Sequence, residues 1–295
     1  MRISTQATEQ RRLATLFRSQ QRLETAQDQV STGKRLQRPS DSPADMGELL
    51  KTRSSLGTLA RRNDALNAAL PNMRASESTL GDMTSALREV RTQALQAKNA
   101  TSTPEQRAAL ADQIGRLAGR VRDLANSSQG GQRLFAGTAT GTEPFPQAEP
   151  IVYAGSPNSQ QAEVGEGAVL DVSIPGGRLL NSRGGTDLFQ NLKDLEAAVR
   201  TGSNAEISSG MDALDVDLDN VTRLRGDMGA KLQYVELTQN RISTQKDALD
   251  QSASDLENVD FTEAVLNAKS AETAHEAALA MAGRIGNTTL LDYLR

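Results

Sequence analysis

Thr32-Gly33-Lys34 is the first place in this sequence where chemistry could reside, because a lysine behind a glycine can cradle a phosphate. A phosphate loop also needs an earlier glycine to bend the backbone and a hydroxyl after the lysine to hold magnesium. Asp28 and Arg35 occupy those two positions, so a carboxylate would face the phosphates and no hydroxyl is left for the metal. Asp215-Val216-Asp217-Leu218-Asp219 opens like a calcium loop, but Asn220 replaces its glycine and Gly226 stands where its closing glutamate belongs. The single histidine, His275, lies in an alanine-rich stretch without converging ligands or triad partners, which leaves it a packing or surface role. Gly130-Gly131 and Gly137 do not make a dinucleotide fingerprint. No catalytic residue, cofactor site or metal site is read from the chain, and cysteine is absent, which excludes disulfide frameworks and thiolate metal sites.

Charge and composition narrow the remaining classes. The net charge of −4 argues against a nucleic-acid binder. Residues 1–60 carry ten Lys/Arg against six Asp/Glu, whereas 201–295 carry eight against sixteen, so the two ends should attract each other. Hydrophobic residues make up 37% of the chain and aromatic residues only 3%, which suits thin layers of Ala and Leu between helices. No apolar run approaches a membrane span, and Met1 to Gln20 has no signal-peptide core, so export would use a route without a cleavable signal.

The elements follow from apolar spacing. Ile207, Leu214, Val221, Met228, Val235, Ile242, Leu249 and Leu256 recur every seven residues, with Met211, Leu218, Arg225, Leu232, Gln239, Lys246 and Ala253 on the companion line. That pattern predicts one long helix packed along a seam, with a bend at Gly226 and Gly229. Leu59, Leu66, Met73, Leu80 and Leu87 form an earlier array, in which Pro71 should kink the helix or interrupt its hydrogen bonding. Thr103, Pro104 and Gln106 give a third helix its capping box, followed by the stripe Leu110, Ile114, Leu117, Val121 and Leu124. Five of the nine prolines fall between Pro144 and Pro175, and Ile151-Val152-Tyr153 and Leu170, Val172, Ile174 read as short strands. A β-rich insert over 136–187, dispensable for the helical core, is expected there, and helix resumes at Leu188.

The ends differ from the middle. Leu13, Leu16, Leu23 and Val30 are apolar but are interrupted by Gln20 and Gln27, and the helix capped by Asp260 and Glu263 has a stripe of alanines. A lone hairpin of this kind buries too little to be stable, so these ends need partners. Between the first helix and the next lies a joint: Gly33 permits a helix end, Pro39 and Pro43 prevent its continuation, and Ser40 or Asp41 can cap the second helix.

Several stretches together resemble the bacterial flagellin family, and specifically its hook–filament junction members. They are the Ser31-Thr32-Gly33-Lys34-Arg35 run leading into Asp and Pro, Gly131 to Thr138 followed by Pro144-Phe145, Val221 to Leu232 with Arg223, Gly229 and Ala230, and Thr289 to Leu294. A filament flagellin would more typically carry Asp-Asp-Ala-Ala-Gly where this chain has Asp41-Ser42-Pro43-Ala44-Asp45. Pattern and resemblance together imply a mainly α fold, a long antiparallel coiled-coil or helical bundle with discontinuous N- and C-terminal halves and a small β-rich inserted domain. Three regions are expected: a terminal coiled coil of 1–32 plus 261–295 at the inner tube, a helical bundle core of 33–135 plus 188–260, and the insert of 136–187.

The resemblance further implies a non-catalytic, extracellular adaptor of the flagellum, exported by the flagellar type III apparatus. Its partners would be the first hook-associated protein, flagellin, further copies of itself in a ring, and a cytoplasmic export chaperone on the C-terminal helix, with no nucleic acid, membrane or cofactor. Leu13, Leu16, Leu23 and Val30 at one end and Leu279, Ile285, Leu290, Leu291 and Leu294 at the other are the expected assembly interface. Lys34, Arg35 and Arg38 would meet acidic neighbours in the assembly or stay solvated in a basic turn. A filament flagellin, or a nucleotide-binding coiled-coil protein using Lys34, are the alternative readings.

Overall fold

Leucines and methionines seven residues apart leave two long helices with one apolar edge each, and burying those edges organises the chain. The computed structural model describes residues 2–99, 103–148, 150–180 and 187–286, with side chains for all of these except 2–9 and 283–286. In order, the elements are α1 (Arg2–Thr32), α2 (Pro43–Lys98), α3 (Pro104–Ala125), β1 (Ser128–Gln129), β2 (Gln132–Arg133), β3 (Gln161–Gly165), β4 (Ala168–Asp171), α4 (Gly177–Leu180), α5 (Leu188–Thr201), α6 (Asn204–Glu257) and α7 (Phe261–Gly286). The fold is mainly helical with a small β-containing insert. Residues 59–244 cluster as one unit, and 1–58 with 245–295 as another.

In the 59–244 unit, Leu59, Leu66, Met73, Leu80 and Leu87 of α2 are all buried, as are Ile207, Leu214, Val221, Met228, Val235 and Ile242 of α6. The two helices run antiparallel, because Arg91 pairs with Asp215 at 2.7 Å, Glu77 with Arg225 at 2.7 Å and Arg74 with Glu236 at 3.3 Å as one number rises and the other falls. Pro71 neither ends nor splits α2, which spans 56 residues through it. Its side chain is exposed, so the carbonyl that loses its donor can turn to water. The expected bend at Gly226 and Gly229 is likewise not a break, since α6 is one helix of 54 residues. The predicted capping box at Thr103 and Gln106 is present at the start of α3, which packs on α5.

The insert differs from expectation in detail. Within 136–187 the only sheet among the described residues is the two-stranded pair β3 with β4, while a second pair, β1 with β2, turning at Gly130 and Gly131, both at positive φ, lies just before it. Ile151-Val152-Tyr153 is not a strand. Prolines at 144, 146 and 150 deprive the neighbouring backbone of donors, and the Tyr153 hydroxyl instead donates towards the Phe135 and Ser156 carbonyls. Of the alternation Leu170, Val172, Ile174, only Leu170 lies in a strand, β4. Phe145, fully buried, packs tilted against Tyr153 at 5.6 Å between ring centroids and edge-on at 5.2 Å on Phe189 of α5, so the insert shares a core with the helices.

Candidate assembly interface

All of the residues expected at the joint fall within the unit formed by 1–58 and 245–295. α1 stops at Thr32 because Gly33 adopts φ +69°, a left-handed conformation that costs glycine nothing, with its N–H donating to the Gln29 carbonyl at 2.9 Å. The chain then lies antiparallel beside the end of α6. Arg35 N–H donates to the Glu257 carbonyl at 2.7 Å, and Val259 N–H donates to that of Gly33 at 3.0 Å. Leu36 is buried beneath this crossing.

Side chains lock the same crossing. The Glu257 carboxylate receives both the Lys34 ammonium and the Arg53 guanidinium, and the Lys34 hydrogen bond above all holds its pKa below the ordinary carboxylate value. Arg35 pairs with Asp45 at 3.0 Å and donates to the Leu256 carbonyl at 3.0 Å. Asp41 accepts the backbone N–H groups of Arg38 at 2.8 Å and Gln37 at 3.0 Å, which lower its pKa. The carboxylate therefore closes the turn itself and does not cap α2. Pro43, expected to block helix, is the first residue of α2, where its missing N–H costs nothing. Pro39 is exposed within the turn. Lys34 and Arg35 are thus engaged inside the chain, while Arg38 is exposed.

α1 and α7 pack against each other in the same unit. From residue 12 onward every position at 4-3 spacing along α1, namely Arg12, Leu16, Ser19, Leu23, Ala26 and Val30, is buried or half-buried, and so is each of Ala264, Ala268, Ala271, His275, Ala278 and Ala282 along α7. Ser19 Oγ lies 3.0 Å from His275 Nδ1, which gives the histidine a packing role across the seam. Asp260 caps α7 by accepting from Thr262 N–H at 2.8 Å and Glu263 N–H at 3.3 Å.

Of the residues expected at the assembly interface, Leu16, Leu23 and Val30 line this internal seam, while Leu13 and Leu279 are more than half exposed. The Ile285 side chain and Leu290, Leu291 and Leu294 lie outside the described residues. Phe17, Leu266 and Met281 are large exposed apolar residues that the heptad reading missed, because they fall beside the seam rows and not on them, whereas Phe261 continues the α7 seam spacing yet is exposed at the start of the helix. Glu257 was also missed. Only the excess of base at one end and acid at the other pointed towards it.

Elsewhere, an open cleft of about 760 Å³ in the 59–244 unit is lined by Ile151, Val152, Tyr153, Pro175, Leu180 and Arg178. Among the described residues no group of acids and histidine is placed to hold a metal ion, and no helix is long and apolar enough to cross a membrane. The Asp215–Asp219 stretch is helical, with Asp215 paired to Arg91 and the buried Asp217 accepting from Asn191 at 2.7 Å.

Both ends of the chain match known protein families. Residues 3–140 match the bacterial flagellin N-terminal helical region, and 211–294 match the bacterial flagellin C-terminal helical region. The chain belongs to the bacterial flagellin family, and its role in the flagellum is structural. It is 27% identical over 300 residues to flagellar hook-associated protein 3 of Escherichia coli, covering 94% of both chains. The protein of the same name from Salmonella typhimurium is 28% identical over 255 residues, 79% of this chain and 80% of that one. The fold resembles the structure of a putative flagellar hook-associated protein from Vibrio parahaemolyticus, with a TM-score of 0.67 at 20% identity, over 74% of this chain and all of that one.

Proposed function

We propose that the chain is a subunit of the hook–filament junction, an adaptor with no catalytic chemistry that contacts the first hook-associated protein on one side and flagellin on the other. The observation that carries this reading is the α1–α7 pair. Its seam sets only Leu16, Leu23 and Val30 among alanines and polar side chains, and it leaves Leu13, Phe17, Leu266, Leu279 and Met281 exposed. A monomer gains little from such a pair, while neighbouring copies in a tube would cover those residues. Segments 1–32 and 261–295 would then form the inner tube, 33–135 with 188–260 the surrounding bundle, and 136–187 an outward domain. Export unfolded, with a chaperone covering the α7 segment until assembly, fits the same apolar surface. The name and near-complete coverage of the Escherichia coli relative support the assignment.

A strain lacking the gene tests it by electron microscopy. Intact hooks without filaments, with flagellin shed into the medium and filaments restored by the gene in trans, are expected. Long filaments on the deletion strain would overturn the reading, and filament loss without flagellin in the medium would favour a filament flagellin.

A further inference from the structure

Each helix of the α1–α7 pair carries a row of charge immediately beside its buried row. On α1 the positions just before the seam residues include the exposed Arg11, Arg18 and Arg22. On α7 the positions just after the seam residues include Glu272 and Glu276. Antiparallel direction follows from the Ser19–His275 contact and the Gly33–Val259 hydrogen bond. At about 100° per residue, a row preceding the seam on one helix and a row following it on the antiparallel partner fall on opposite flanks. The arginines therefore cannot reach these glutamates within one chain, and among the described residues no ion pair is made to Arg11, Arg18 or Arg22.

The flanks also differ in shape and apolar content. The arginine flank holds a groove of about 310 Å³ lined by Arg18, Gln21, Arg22, Thr25 and Gln29, and on α7 it presents Ala274, Ala277 and Met281. The acidic flank adds Glu24, and it carries the exposed Leu13, Phe17 and Leu279. One charge on each flank runs against the pattern: Glu263 among the arginines, and Lys269, which Glu272 already pairs at 2.7 Å. Heights match as well. With Ser19 level with His275, helical geometry sets Arg18 level with Glu276 and Arg22 level with Glu272.

We propose that the arginine flank of one copy receives the acidic flank of a second copy of this chain. Arg18 and Arg22 then meet Glu276 and Glu272 of the neighbour without axial displacement, and Leu13 and Phe17 of the neighbour are covered. The contact uses different surfaces on the two copies, so it repeats around a ring or helical tube and does not close at a dimer. It rests on the assembly reading above and specifies which surfaces meet.

The chain contains no cysteine, which makes the test direct. Arg22→Cys and Glu272→Cys are combined in one full-length chain expressed in the deletion strain, and isolated flagella are oxidised. A ladder of disulfide-linked multimers is expected, with none from either single variant. Separately, Arg18→Glu with Arg22→Glu should reduce the number of filament-bearing cells roughly tenfold or more. Adding Glu272→Arg and Glu276→Arg to that chain should restore them. Normal filaments without a ladder, or charge reversal without effect, would overturn the flank pairing while leaving the junction role intact. Filaments on the deletion strain itself would instead remove the junction role.

Discussion

Glu257 ends α6, where the helix presents partial negative charge and a carboxylate is least favourable. Lys34 and Arg53 offset that cost and turn the position into a clasp between the N- and C-terminal segments. Replacing the carboxylate, Glu257→Gln, should destabilise the 1–58/245–295 unit by about 1–2 kcal/mol, read as faster amide exchange at Arg35 and Leu36. The pH dependence has a definite sign. Glu257 and Asp41 both have folded pKa values below their ordinary ones, so their stabilisation is complete above roughly pH 4.5 and fades as pH falls through the lowered values. Acidification from pH 5 towards 3 should therefore open the joint, and Glu257→Gln should flatten part of that response. The sequence showed opposite net charges at the two ends. It could not name the acid, because Lys34 and Glu257 are brought together only by the path of α2 and α6.

At the level of elements, periodicity is the reliable signal wherever one helix edge is fully buried. The rows of α2, α5 and most of α6 lie where their spacing predicts, and in α3 Ile114 and Val121 do so while Leu110, Leu117 and Leu124 are half-buried beside the buried Ala111 and Ala125. Pro71 disturbs its helix less than its residue type suggests, because a proline on an exposed face loses one hydrogen bond that water can replace. Because that hydrogen bond is still lost, Pro71→Ala should raise stability by about 1–3 kcal/mol, seen as a higher melting temperature with unchanged helicity, and a fall would show that Pro71 costs α2 nothing. Ile151-Val152-Tyr153 departs from its expected strand because β-forming residues make no strand without a donor-bearing neighbour. The Tyr153 ring and that of Phe145 instead extend the core to Phe189. The insert is thus less separable than its composition implied. Phe145→Ala should cost about 3–5 kcal/mol in denaturant unfolding of the 59–244 unit, and a loss under about 1 kcal/mol would show that the insert packs independently.

For the molecule as a whole, the thin seam of the terminal pair and the apolar residues beside it carry the functional reading. Leu13 and Phe17 are exposed in the monomer, so Leu13→Asp with Phe17→Asp should shift its stability by less than about 0.5 kcal/mol yet block filament growth in cells. Normal motility at unchanged expression would contradict their burial in the assembly. The alanine spacing that makes α7 a close-packing helix was legible in the sequence. The division of its neighbours into an arginine flank and an acidic flank was not, because it depends on the antiparallel register set by Ser19 and His275. The most direct test of the junction role is position on the organelle. A short epitope inserted in the exposed turn at Glu166 and Gly167, between β3 and β4, leaves both helical units untouched. Immunogold labelling of isolated flagella should then place gold in one narrow band at the hook–filament boundary, whereas gold distributed along the filament would contradict the junction role.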